Sequence, residues 1–267
     1  MTTPTNCLKL LQITDTHLFE SPDGQLLGLN TEHSLRQVID HILMHEMPDI
    51  IIATGDLTHD NTEAAYRRLR QHFSRLPAPV YCLPGNHDGS ERFKSILDSA
   101  PLHTQHKIFT ENQWQLLLLD STIKDSEAGH LDKQELQFVE QTLSNQPMNP
   151  ALIFVHHPPV TINSKWLDTM KIDNGEELLT ICTQHPQVQA ISCGHIHQAF
   201  SGNKDSLHLF AAPSTCVQFL PGSSNFAVDK IPPGYRRFCL FDDGHFETEV
   251  IRLNAIPGNI DMSLTGY

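Results

Sequence analysis

Positive charge is scarce in this chain. Among its 267 residues, 18 are Lys or Arg and 31 are Asp or Glu, a formal net charge of −13 with His neutral. Contacts to nucleic-acid phosphates draw on Lys and Arg, so the expectation is no nucleic acid and no anionic membrane surface as partner. No apolar run approaches the roughly 18 residues that span a bilayer, and no basic segment followed by an apolar stretch opens the chain. Cysteine is sparse too. The six residues, Cys7, Cys82, Cys182, Cys193, Cys216 and Cys239, show no C-x-x-C spacing. That argues against a zinc ribbon or a dense disulfide framework, and a reducing, cytoplasmic setting is expected. Cys193 follows an apolar run and reads as buried packing rather than a ligand. Repeats, low-complexity stretches and a clear linker are also missing, so 1–267 reads as one domain, with 39% hydrophobic residues to fill its core.

Histidine, by contrast, is plentiful. Of 17 in the chain, seven fall in five short strings. The strings are Asp15-x-His17, Gly55-Asp56 running on to His59 and Asp60, Gly85-Asn86-His87-Asp88, His156-His157-Pro158, and Gly194-His195-Ile196-His197. Each follows an apolar run that reads as a buried strand, so all could be delivered to one rim of one sheet. Alternation along a strand would put Asp15 and His17 on the same side, and likewise His195 and His197. A mixture of carboxylate, amide and imidazole suits two divalent metals that share a carboxylate. An Asn carbonyl can ligate a metal while its NH₂ donates to a phosphoryl oxygen.

The periodicity places these strings on a frame. Leu8–Thr14, Asp49–Thr54 and Val80–Leu83 read as strands, separated by helices over Glu32–Met47 and Thr62–Arg75. That β-α-β-α-β order favours parallel strands. Further strands are expected at Trp114–Leu119, Ala151–Val155 and Val188–Cys193. Asp132 and Glu135 have capping-box spacing before a helix. A strand-rich tail, 207–267, carries a hairpin signal at Asp243-Gly244. The fold class is therefore α/β, a four-layer α-β-β-α sandwich of two mixed sheets. Segment 158–175, with Trp166, has little periodicity and reads either as a lid or substrate loop or as a surface excursion with Trp166 tucked inward. Arg67-Arg68-Leu69-Arg70 reads as a solvated helix face; Arg236-Arg237 either forms salt bridges or meets a partner.

The ordered series D-x-H, GD, GNHD, H-x-P, GHxH resembles the calcineurin-like metallophosphoesterase superfamily. Leu26–Ile39, His156–Val160 with Ser164–Asp168, Pro213–Phe219 and Pro232–Phe238 resemble its bacterial class III 3′,5′-cyclic-AMP phosphodiesterases more closely. The likeness runs through nearly the whole chain. It implies that Asp15, His17, Asp56 and His197 hold one ion, and that Asn86, His156 and His195, with Asp56 bridging, hold the other. His157 is then second to His156, either behind the ligands or facing substrate. Related phosphatases orient the acid His by an Asp three residues after the bridging Asp. Here His59 stands at that position, so the partner of His87 is open.

From these assignments follows an expected reaction. A hydroxide bridging the two ions attacks phosphorus in line, and His87 protonates the leaving 3′-oxygen, worth roughly 10²–10⁴-fold. His17, Asp56, Asn86, His87, His157 and His197 face the substrate, with His87 and Asn86 as the catalytic pair. Two divalent ions outweigh two carboxylates and a hydroxide, leaving the site attractive to an anionic ester. Iron or manganese fits the Asp/Asn/His set best and zinc remains compatible. The partner is a small cyclic nucleotide, and the resemblance implies a homodimer. Two other readings stand beside this one: a phosphohydrolase for nucleotide diphosphates such as ADP-ribose or for phosphomonoesters, and a non-catalytic scaffold.

Overall fold

The computed structural model describes residues 7–264 and 266. In chain order, β1 (Cys7–Ile13), a two-residue ladder of β2 (Gln25–Leu26) and β3 (Leu29–Asn30), α1 (Thr31–His45), β4 (Ile50–Thr54), α2 (Glu63–Phe73), β5 (Val80–Leu83), α3 (Ser90–Leu97) and β6 (Leu102–His103) form the first half. The second half runs β7 (Lys107–Phe109), β8 (Gln115–Leu119), α4 (Lys133–Asn145), β9 (Ala151–Val155), α5 (Gly175–Gln184), β10 (Val188–Cys193), β11 (Phe200–Lys204) and β12 (Leu207–Ala211). The short β13 (Gln218–Phe219) and β14 (Val228–Asp229) pair together, and β15 (Gly234–Phe241) with β16 (Phe246–Arg252) closes the chain as a hairpin turned at Gly244.

One sheet has the order β16-β15-β1-β4-β5-β6 and the other β11-β12-β10-β9-β8-β7. In the first, β1, β4, β5 and β6 are parallel; in the second, β8, β9, β10 and β12 are. Alternation along each strand builds the layers. Leu10, Ile52, Leu118, Leu152, Phe154 and Phe238 fill the space between the sheets. Their neighbours Leu11, Ile51 and Ala53 pack outward with Val38, Ile42, Leu69 and Phe73 of α1 and α2. On the opposite face Leu117, Ile153 and Val155 meet Val139, Leu143, Leu178 and Cys182 of α4 and α5. Each Val, Leu, Ile or Phe side chain among them is worth about 1.5–3 kcal/mol relative to exposure. The expected four layers and both mixed sheets are therefore present.

Helix boundaries follow their caps. Asn30 accepts from the His33 amide at 2.6 Å, and α1 ends at His45, short of the expected Met47. Thr62 caps α2 through the Ala65 amide. Asp132 caps α4 by accepting from the amides of Gln134 and Glu135, both 2.8 Å. Gln12, buried beneath the rim, donates to Thr54 Oγ1 and to the Cys193 carbonyl, both 3.0 Å, and so ties the sheets together.

The structure adds to the cysteine reading, corrects that of Arg67–Arg70, and decides that of Arg236-Arg237 for internal pairing. Cys7 and Cys239, on adjacent antiparallel strands, form a disulfide, a single pair rather than a dense framework and one that the expectation of a reducing setting did not include. Their separation of 232 residues hides the pairing from spacing arguments. Arg68 and Arg70 are structural ties rather than a solvated face. Arg68 pairs with Glu32 at 2.8 Å and donates to the carbonyls of Phe19 and Glu20, while Arg70 donates to those of Ile96, Ser99 and Ala100. Arg236 is buried, donating to the carbonyls of Ala211 and Phe200, and Arg237 pairs with Glu46 and Glu249. Among the described residues no helix is long and apolar enough to cross a membrane.

Candidate metal centre

Every string lands just past the carboxyl end of a parallel strand, but the strands belong to both sheets rather than to the single sheet expected: β1 leads to Asp15 and His17, β4 to Asp56 and β5 to Asn86 in the first, β9 to His156 and β10 to His195 and His197 in the second. Open parallel sheets place their sites at that end. The local geometry differs from strand alternation. Asp15, His17, Asp56, His195 and His197 all have positive φ, between 45° and 66°. Their side chains converge because each strand ends in left-handed backbone, a conformation uncommon for non-glycine residues and concentrated at functional sites.

Close approach explains two glycines. A Cβ on Gly55, itself at φ +88°, would stand 2.5 Å from His156 Nδ1. A Cβ on Gly85 would run into Asp56 and stand 2.8 Å from His156 Nε2. Only glycine lets these loops pass so near the imidazole.

All seven expected ligands meet. Nitrogen and oxygen atoms of Asp15, His17 and His197 lie within 4.8 Å of one another, as do those of Asp15, Asp56 and His156. Asp56 Oδ2 stands 3.2 Å from His156 Nε2 and 3.7 Å from His17 Nε2, so one carboxylate oxygen faces both sets. Asn86 Oδ1 is 3.2 Å from His156 Nε2. His17 Nε2 and His197 Nε2 face each other at 3.1 Å. His195 sits beside His156 and His157, with ring centroids 5.1 and 4.7 Å away.

Backbone carbonyls fix two tautomers. His156 Nδ1–H donates to the Thr54 carbonyl at 2.8 Å and His197 Nδ1–H to that of Val217 at 2.9 Å, leaving both Nε2 lone pairs turned inward. The same device settles His87. Its Nδ1–H donates to the His59 carbonyl at 3.0 Å, while its own amide donates to Asp56 Oδ1 at 2.9 Å. A main-chain carbonyl thus stands where the resemblance led to the expectation of a carboxylate. Asp60 is turned away, accepting from the Glu20 amide and the Thr62 hydroxyl. His157 is wholly buried, its Nδ1 at 2.8 Å from the Ser121 hydroxyl.

Sequence reasoning missed the supports. Asp88 accepts from the amides of Leu57, Thr58 and Gly85 and from the Tyr66 hydroxyl, locking the Asp56 loop to the Asn86 loop. Phe219 lies flat on His197, with centroids 4.4 Å apart at 14°, and Trp166 and Phe226 pack edge-on behind it. Segment 158–175 thus packs inward through Ile162, Leu167 and Ile172, with Trp166 against this aromatic group. Only the Asp88 position carried a signal, as the last letter of the Gly85–Asp88 string.

Charge among the protein groups alone is strained. Burial raises Asp15 to about 7, with Asp56 adding to the effect. Burial opposes ionisation of Asp56 too, but His156, His87 and His17 around it hold its carboxyl well below the ordinary value. Burial and neighbouring imidazoles press His195 and His197 down to about 3. Neither ring nitrogen of His195 has a hydrogen-bond partner among the described residues. Burial would lower His156 as well, but Asp56 and Asp15 beside it raise it to about 9; two buried carboxylates, four inward-facing imidazoles and an amide oxygen form a donor set that fits divalent cations.

Fold and donor set together define a metal-dependent hydrolase architecture, and the chain belongs to the calcineurin-like phosphoesterase family, whose model matches residues 8–199. It is 40% identical, over 97% of its length and 95% of the relative's, to the 3′,5′-cyclic adenosine monophosphate phosphodiesterase CpdA of Escherichia coli K12. The enzyme of the same name from Vibrio vulnificus is 37% identical over 98% of this chain and 96% of its own. A dimetal phosphatase from Danio rerio shares the fold with a TM-score of 0.66 at 15% identity, covering 94% of this chain and 99% of that one.

Proposed function

We propose that this chain hydrolyses 3′,5′-cyclic AMP to 5′-AMP over two divalent ions. Asp15, His17, Asp56 and His197 would hold one, and Asp56, Asn86, His156 and His195 the other, with iron or manganese preferred. One observation carries the reading: a single oxygen of Asp56 faces His156 on one side and His17 on the other. The whole-length relatives named for cyclic-AMP hydrolysis supply the substrate. When bound, such ions provide a nucleophile at neutral pH and neutralise charge on the phosphoryl group.

The protein groups do the rest. Asn86 turns Oδ1 toward His156 and the metal side, leaving its NH₂ to donate to a phosphoryl oxygen. The His59 carbonyl holds Nδ1–H of His87 and leaves Nε2 to deliver a proton to the departing 3′-oxygen. The bond from the His87 amide to Asp56 Oδ1 keeps that acid in register with the bridging carboxylate. His157 stands behind His195 and steadies the second set. Segment 158–175 walls the His197 side by packing Trp166 on Phe219, which in turn lies on His197.

Comparison of cyclic AMP, ADP-ribose and a bis-aryl phosphate at matched concentrations tests this. The highest kcat/KM is expected for cyclic AMP, with 5′-AMP as the product. Preference for ADP-ribose, or release of 3′-AMP, would refute the assignment.

A further inference from the structure

His59 belongs to neither ligand set, yet its ring touches both a ligand and the acid. Its Nδ1 lies 3.2 Å from His17 Nδ1. Its face is stacked on His87, centroids 4.7 Å apart at 23°, and Phe19 covers it at 4.3 Å and 34°. Two imidazole nitrogens at that distance form a hydrogen bond only when one carries the proton and the other a lone pair. His17 Nε2 points the opposite way, toward His197 and Asp56. The lone pair that meets a cation therefore belongs on Nε2 and the proton on Nδ1. His59 Nδ1 must accept it, and the proton of His59 sits on its own Nε2.

We infer that His59 is a positioning residue: its ring Nδ1 accepts Nδ1–H of His17 and aims that ligand, while its stacked face holds His87. This rests on the two-ion reading of the centre. His156 and His197 receive the same service from backbone carbonyls, which no substitution removes. At His17 the service comes from a side chain, where a single substitution can withdraw it. Nitrogens of His17, His59 and His87 also lie within 4.8 Å of one another, a spacing compatible with a third ion. His87 Nδ1 is already committed to the His59 carbonyl, and His17 Nε2 is turned to the other cluster.

The test compares wild type, His59→Phe and His59→Asn as metal-free full-length chains, titrated with Mn²⁺ against a chromogenic chelator. Phenylalanine keeps the stacking surface and removes the acceptor; asparagine returns an oxygen close to where Nδ1 stands. Wild type should bind two equivalents. His59→Phe should still bind two, with one Kd weakened about 10–100-fold, the usual cost of losing such a partner, and His59→Asn should recover most of the loss. Unchanged affinities in His59→Phe, or no recovery in His59→Asn, would overturn the inference. Loss of a whole equivalent would make His59 a ligand and overturn it as well. Fewer than two equivalents in wild type would instead bring down the two-ion reading and this inference with it. Nitrogen-15 shifts of His59 in the zinc-loaded wild type give a readout independent of variant folding: a proton on Nε2 agrees, a proton on Nδ1 contradicts.

Discussion

The two sides of Asp56 are supported by different means. On the Asn86 and His156 side a carbonyl and one buried carboxylate provide the support. His156 is held by the Thr54 carbonyl, and the Asn86 loop is pinned by Asp88 to three backbone amides. On the His17 and His197 side, side chains from distant loops take part. His17 meets the ring of His59, and His197 lies on Phe219 with Trp166 behind it. Main-chain support moves only when a strand moves. Each half thus has one ring held by main chain, His156 or His197, and supports that a single substitution can alter, Asp88 on one side and His59 and Phe219 on the other; only His17 takes its Nδ1 partner from a side chain.

The largest effect should come from the residue the halves share. Asp56→Ala is expected to drop bound metal from two equivalents to below one and to abolish hydrolysis; elemental analysis that still finds two would break the bridging assignment. Next is His87→Ala, which should keep both metals and lower kcat roughly 10²–10⁴-fold, the range for general acids. Matching metal loss would move His87 into the ligand set.

Two substitutions then set one half against the other. Asp88→Ala leaves buried amides unpaired at about 1–3 kcal/mol each, so chemical denaturation should show a loss of about 3 kcal/mol or more. Metal affinity should weaken at one site of the two. Phe219→Leu removes a stacked ring worth about 0.5–1.5 kcal/mol and should weaken the other site alone. Combining the two variants should add their losses if the halves are independent; strong coupling between them would show that the two halves act as one unit.

The smallest effect lies outside the centre. Burial alone would raise Glu32, but hydrogen bonds from His72 and Arg68 leave its carboxyl below the ordinary 4.5. A depressed folded-state value means this contribution is present above 4.5 and fades as pH falls below it. The Tm gap between wild type and Glu32→Gln should therefore shrink from pH 6 toward pH 3; a gap that widens on acidification reverses the sign.

Much of this centre was legible because its parts are local. Gly55, Gly85 and Gly194 stand beside their ligands in sequence, each after an apolar run, and β-α-β order forces those runs into parallel register. What stayed hidden depends on contacts across the chain. The Val217 carbonyl reaches His197 over 20 residues and Tyr66 reaches Asp88 over 22. The left-handed backbone at Asp15, His17, Asp56, His195 and His197 leaves no mark either, since none of the five is glycine. Strand alternation therefore put Asp15 and His17 on one side correctly but for a reason the backbone does not follow. Asp60 shows the same limit: adjacent to His59 in sequence, it serves Glu20 and Thr62, and His87 takes a carbonyl instead.

The most direct test of two cations sharing Asp56 is electron paramagnetic resonance during Mn²⁺ titration of the metal-free chain. Saturation at two equivalents is expected, with a spin-coupled signal from neighbouring ions. Saturation at one equivalent, or two equivalents giving only uncoupled mononuclear signals, would contradict it.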